Sequence, residues 1–487
     1  MSVCSTSRSI SVHDTGGSAP SLLERSASAM VRYLPACAVA AASIGLALHT
    51  GLQVGISNHC QYLLHGLHAA DPTFLAGDWF TTQTPDHHRP FSLLVEWLAR
   101  AGVLNVGLGL LNCAASVAYA LSLYFIIARF AARPLAPFGA AVILTAFLPM
   151  NGPGLSHILL PYFVPSVFSG VTILVAIALL VHGRTCAAGL NAAAACAIHA
   201  NYLLLMAPVW FMVIALSPKA ERRALSIGLF APWLLAWIPH YAMIRAVFAD
   251  PADALTVHQI FWKIYAPHHF DSTTWPAAPL VRYALVLMVG GAAAWIARGR
   301  LTRMAVSIVL AFATVVIAGA FGTIALDLDI ATSLFPWRLA PFLTIAAVVS
   351  ISLLLDPAAF QSHVARITTL ALVIAVLALS GLAPRGAWLL SFFAAGSVVL
   401  AFARGSPATP GESDRAILEF IRRIASPTTQ SLAFSIALFV LAANLAAVPT
   451  AAGVSISIEA ESAQVELARI HDLRRDQQAP ARSAGAP

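Results

Sequence analysis

The fold class this sequence predicts is all-α: a polytopic membrane bundle of about 11–13 spanning helices. Three observations predict it. Only 10% of the 487 residues are charged and 59% are hydrophobic, whereas a soluble domain carries about a quarter charged residues. Apolar runs of roughly 20 residues recur down the chain, the length a helix needs to cross a bilayer. The even alternation of a membrane barrel strand is absent, so the backbone must satisfy its own polar groups inside helices.

The elements follow in order. Residues 1–33 are Ser-rich and aperiodic and read as a disordered cytoplasmic tail. Residues 34–449 form the membrane domain, beginning with an uncleaved span over 34–56 that contains a small-xxx-small match, Gly51 to Gly55. Further spans are expected at 102–127, 134–149, 161–181, 186–199, 201–217, 224–245, 280–297, 304–325, 337–355, 367–383, 388–403 and 430–449. The short pair is split at His199-Ala200-Asn201 because a polar His-x-Asn in mid-span is costly in lipid. Residues 404–427 contain a basic surface helix, AILEFIRRI, suited to anionic lipid. Residues 450–487 form a short outer tail, too small for a core of its own.

Charge sets the orientation. With the N-terminal tail inside, the alternate loops collect Arg129, Arg133, Arg184, Lys219, Arg222, Arg223, Arg298, Arg300, Arg303 and Arg366, the positive-inside pattern of an inner (plasma) membrane protein. The split at His199 is needed for this agreement, since merging the pair would invert every later loop. Histidine and acid collect on the outer side, in loops 57–101 and 246–279 and at neighbouring helix ends. No Asp or Glu falls within an expected span, which argues against an ion-coupled transport path. The six cysteines form no disulfide framework or CxxC, and Gly-rich phosphate loops, GxSxG and HExxH are missing. The bilayer is the partner that composition names, and nothing points to nucleic acid.

The first outer loop holds most of the chemistry. Residues 59–70 have helical spacing with His65 and His68 on one face. Asp71-Pro72 either ends that helix or opens a new turn. Gly77-Asp78-Trp79-Phe80 puts an acid beside aromatics, as at a membrane–water interface. Residues 90–100 form a second amphipathic helix, expected to lie along the surface.

The motifs NHCQYLL, ADPTFLAGDWF and HHRPFSLL after one span, followed by paired short helices meeting at IHANYLL, resemble bacterial polytopic proteins related to the GT-C glycosyltransferases. The resemblance covers residues 34–240 by motif and the remainder by span pattern. It implies an essential acid in the first outer loop, lying among surface helices, and a polyprenyl-phosphate or diphosphate sugar donor entering from the bilayer. Asn58-His59 stands where many of these enzymes carry paired acids.

Inverting transfer from a lipid phosphate needs a carboxylate to accept the acceptor's proton and donors for the leaving phosphate. Asp78 is the first candidate base, with Trp79 offering a sugar-stacking face, and Asp71 the second; each can equally be a turn or cap acid. Arg338 in LFPWRLAP is the first phosphate candidate, with a snorkelling interfacial Arg as its structural alternative, and Arg89 in HHRPF the second. His199 and Asn201 can line the same cavity or simply form a polar helix junction. His59, His87, His88, His268 and His269 are candidates for the acceptor groove. The HHFD run, His268 to Asp271, can bind a divalent metal, but a solvated loop is the better reading, so no cofactor is assigned. A lipid-linked glycan transporter and a non-catalytic membrane protein are the alternatives.

Overall fold

A computed structural model describes residues 22–50, 53–55, 58–84, 86–147, 154, 156–241, 275, 277–326, 328, 331 and 334–356. These residues are mostly helical and contain no strand. The chain opens with α1 (Leu22–Thr50), then the short first-loop helices α2 (His59–Tyr62), α3 (Leu64–Ala70), α4 (Trp79–Gln83) and α5 (Arg89–Arg100). Long helices follow as α6 (Leu104–Phe130), α7 (Leu135–Phe147), α8 (Pro165–Val181), α9 (Thr185–Ile198), α10 (Ala200–Leu216) and α11 (Lys219–Leu235). After a 3₁₀ turn at Ile238–His240 come α12 (Ala277–Ile296), α13 (Arg303–Ala320) and α14 (Ala340–Leu353).

Among the described residues, three stretches are long and apolar enough to cross a membrane: Leu104–Phe130, Arg303–Ala325 and Pro336–Leu353. Helix α6 shows why. Leu108, Asn112, Tyr119, Leu123 and Ile126 are buried along one face. Val106, Leu110, Val117, Leu121 and Phe125 form an exposed apolar stripe at helical spacing on another. Its 27 residues rise about 40 Å at 1.5 Å per residue, more than the hydrocarbon thickness.

The helix ends gather in two places. At one end, Gln53 N donates to Pro161 O at 2.7 Å, Asn112 Nδ2 donates to Leu160 O at 3.2 Å, and Trp233 Nε1 donates to Leu203 O at 2.8 Å. The first loop, the α9–α10 junction, the Ile238–His240 turn and the start of α14 belong to this end. At the other, Arg129 Nε donates to Val181 O at 3.2 Å. There Asp356, fully buried, pairs with Arg300 at 2.6 Å and accepts from Ala132 N at 2.8 Å. The basic residues Arg129, Arg133, Arg184, Lys219, Arg222, Arg298 and Arg300 lie at the ends of elements meeting here.

Several expectations are corrected. Helix α1 begins at Leu22, inside the expected tail, and ends at Thr50. Gly55 lies beyond it at φ +80, a left-handed conformation suited to glycine, and Gly51 lies outside the described residues. A close small-residue contact lies between α9 and α11. A Cβ on Gly189 would stand 1.7 Å from Gly228 O, so the two backbones touch there. Residues 59–70 form two helices joined at Leu63 rather than one. Helix α11 starts and stops early relative to 224–245: Pro218 precedes it, Lys219 to Arg223 are good helix formers, and the helical ladder loosens after Pro232. The chain does break at His199, which is extended at φ −136, ψ 107 between α9 and α10. The expected elements beyond residue 356, most of loop 246–279 and tail residues 1–21 lie outside the described residues.

Candidate functional site

The first loop is folded by its own polar side chains. Asp71 closes α3 in an extended conformation. Its Oδ1 accepts from Thr73 N at 2.9 Å and Thr73 Oγ1 at 2.7 Å, a local Asx turn on an exposed residue. The Thr73 hydroxyl holds this carboxyl below the usual carboxylate range. Leu75, in the turn that follows, takes φ +51, unusual for a branched side chain. Asp78 is the N-cap of α4. Its Oδ2 accepts from Thr81 N at 2.9 Å and from the Thr81 hydroxyl, and the Thr81 hydroxyl is the first cause that lowers its pKa. Both candidate bases are therefore ionised, locally bonded carboxylates. Trp79 opens α4 directly after Asp78.

The five first-loop histidines divide by what their rings do. His59 is buried and committed: Nδ1 accepts from Gly55 N at 2.9 Å, so Nε2 carries the proton and donates to Phe163 O at 2.9 Å. That is a tether between the loop and the start of α8, not a groove position. His68 Nδ1 donates to Phe74 O at 2.8 Å. His65 packs its ring against Phe80, centroids 5.2 Å apart. His87 reaches the surface, yet the surrounding protein lowers its pKa, while neighbouring Asp86 opposes that shift. His88 crosses to another part of the fold, its Nδ1 donating to Ile198 O at 3.2 Å.

His88 brings the first loop to the helix junction. Its ring meets Tyr62 at 5.0 Å and His199 at 4.6 Å, both edge to face. His199 also packs against Tyr202 at 5.6 Å. His199 is 1% exposed, and neither of its ring nitrogens has a hydrogen-bond partner, although a buried imidazole normally has one. His240 completes the wall, with Nε2 donating to Cys196 O at 2.8 Å. Burial, first of all, pushes His88 down to about 3, the bond to Ile198 opposing and the charges of His87, Arg338 and His240 adding to the fall.

Arg338 faces this histidine group. It lies in the 3₁₀ turn Pro336–Leu339 before α14 and acts electrostatically on His88, His199 and Tyr202. Its guanidinium stands 4.9 Å above the Phe335 ring, and its buried Nε has no hydrogen-bond partner. Phe335 takes φ +49, a left-handed conformation costly for an aromatic residue, which sets the turn that presents Arg338. Trp337, next in line, is buried against Trp275 at 4.8 Å.

The structure thus brings together three of the residues singled out in the sequence, His88, His199 and Arg338, from three separate segments. Asn201 sits half-buried in the first turn of α10, and Arg89 is exposed at the start of α5. Among the described residues, the side-chain hydrogen bonds of Asp71 and Asp78 stay within the first loop. A line of electrostatic neighbours nonetheless runs from Asp78 through His65 and His87 to His88 and Arg338. His268 and His269 lie outside the described residues. Among the described residues no three His, Cys, Asp or Glu side chains converge to hold a metal ion.

Two site residues were not singled out as such in the sequence. His240 was visible only as one more outer histidine, and nothing local shows that the turn after α11 folds it under Cys196. Asp86 was legible as a D-x-H pair: an aspartate two residues before a residue commonly accepts that residue's backbone N–H.

An arginine beside a buried, unpartnered imidazole can receive an anion. The carboxylates on the adjoining loop can accept protons. Comparison of the chain with family models, curated proteins and solved structures returns no match.

Proposed function

We propose that this chain is a polytopic, GT-C-like bacterial inner-membrane glycosyltransferase. It transfers a sugar with inversion from a polyprenyl-phosphate donor at the outer, periplasmic face. In this reading the N-terminus is cytoplasmic and the C-terminus periplasmic. One observation carries it: His199 is sealed from water with both nitrogens unpartnered, beside an Arg338 whose Nε is equally unpartnered. Buried polar groups left unpaired are destabilising and persist where a ligand completes them. The Arg338 guanidinium and a His199 N–H suit the phosphate that departs from the donor. Asp78, ionised and next to the aromatic pair Trp79-Phe80, takes the acceptor's proton, with Asp71 as second choice.

A transporter of lipid-linked glycans is the second reading. It draws on the helix break at His199 and on the π turn Phe321–Ala325 that prolongs α13, since interrupted helices often line ion and substrate paths. The test is a transfer assay in nanodiscs with a panel of polyprenyl-phosphate sugars, comparing wild type with Asp78→Asn and Asp71→Asn. Release of lipid phosphate by wild type and its loss in either variant supports the transferase and names the base. No release with any donor, alongside glycan movement across proteoliposomes, favours the transporter.

A further inference from the structure

Helix α5 is capped in an unusual way. Its N-cap residue is His88, at φ −127, ψ 40, and the His88 side chain makes no capping bond. The ring cannot cap, because Nδ1 is committed to Ile198 O and the ring face to His199. An N-cap side chain ordinarily satisfies one of the open N–H groups of the first turn.

Asp86 supplies the missing link from two residues upstream. Its Oδ1 accepts from His88 N at 3.1 Å and from Ser92 Oγ at 2.9 Å. One oxygen therefore clamps the backbone of the N-cap residue to the first turn of α5. Ser92 is 5% exposed and belongs to the face that packs on α3. A Cβ on Gly66 would stand 2.5 Å from Ser92 O, so this face has no room to shift. The carboxylate also lies at the positive end of α5.

We propose that Asp86 is a positioning residue for the anion site: its clamp on His88 N and Ser92 Oγ frees the His88 ring from capping and holds it against His199. The inference rests on the transferase reading for its consequence in catalysis, but its geometry can be tested apart from any turnover. Asp86→Asn keeps an oxygen acceptor for both bonds and drops the charge. Asp86→Ala drops both bonds.

The experiment is histidine modification by diethyl pyrocarbonate on the full chain in nanodiscs, read peptide by peptide by mass spectrometry. A donor-transfer assay is run on the same samples. In wild type and Asp86→Asn, His88 reacts slowly. In Asp86→Ala it reacts at least tenfold faster, and transfer falls at least tenfold with a raised KM for donor. Should Asp86→Ala fail to insert, Ser92→Ala, which removes one of the two bonds, gives an intermediate increase in reactivity. Wild-type protection of His88 in Asp86→Ala or in Ser92→Ala overturns the proposal. Equal exposure in Asp86→Asn and Asp86→Ala also overturns it, because charge rather than the clamp would then be at work. The expected modification pattern without turnover in any sample leaves the clamp standing and removes the transferase.

Discussion

His88 and His199 meet edge to face with ring centroids 4.6 Å apart, one from the first loop and the other from the α9–α10 junction. This contact joins the loop, already tethered through His59 to Phe163 O, to the helix junction. It joins a ring that is hydrogen-bonded, His88, to one that is not, His199.

That asymmetry separates stability from function at His199. Leucine there removes no protein hydrogen bond and relieves a buried unsatisfied group, which costs about 1–3 kcal/mol. His199→Leu should therefore melt at the same or a higher temperature than wild type, while transfer falls on the order of a hundredfold. Paired thermal unfolding and turnover measurements check this; a large fall in melting temperature would mean that the ring has a structural role.

Acid should loosen the loop docking. His88 has a folded value of about 3 against an ordinary 6.5, so between those values the unfolded chain binds a proton that the folded one excludes. The stability contributed by a neutral His88 is complete above about pH 6.5 and declines as pH falls toward 3. From pH 6.5 to pH 5 the loss is about 2 kcal/mol. A melting-temperature series against pH should slope downward on the acid side for wild type and less steeply for His88→Asn.

Thr81 tunes Asp78. Its hydroxyl is the first cause of the lowered carboxyl pKa, so Thr81→Val should raise that value and move the acid limb of the pH–rate profile to higher pH. An unmoved limb would assign the proton transfer to another group.

At the opposite end, the Arg300–Asp356 pair is buried on the carboxylate side, with Asp356 also holding Ala132 N. Arg300→Ala removes the charged partner of this buried carboxylate and should destabilise the protein by about 3–5 kcal/mol. Arg300→Lys should recover part of this. Denaturant or thermal unfolding in detergent reads both.

Much of the helix layout was legible because apolar period and length are properties of single segments. The break at His199 was legible for the same reason: a His-x-Asn pair cannot lie unpaired in a span. What the sequence could not show is contact across segments. The pairing of Gly189 with Gly228 depends on how α9 and α11 cross, and the small-xxx-small spacings at Gly189 to Ala193 and Ala224 to Gly228 name no partner. The tether from His59 to Phe163 spans 104 residues, and a histidine consumed by such a bond looks the same in sequence as one open to a ligand. Arg338 and His199 were each picked for a position at a helix end and expected to line one cavity; that His88 of the first loop joins them emerges only when the segments are packed. The early start of α1 was missed because Ser-rich composition outweighed the helix formers in Leu22–Met30.

The most direct test of the account is release of polyprenyl phosphate from a lipid-linked sugar by the full chain in nanodiscs, comparing wild type with Arg338→Gln. Wild type should release polyprenyl phosphate, and Arg338→Gln should do so at least a hundredfold more slowly at unchanged melting temperature. Undiminished release by Arg338→Gln would contradict it.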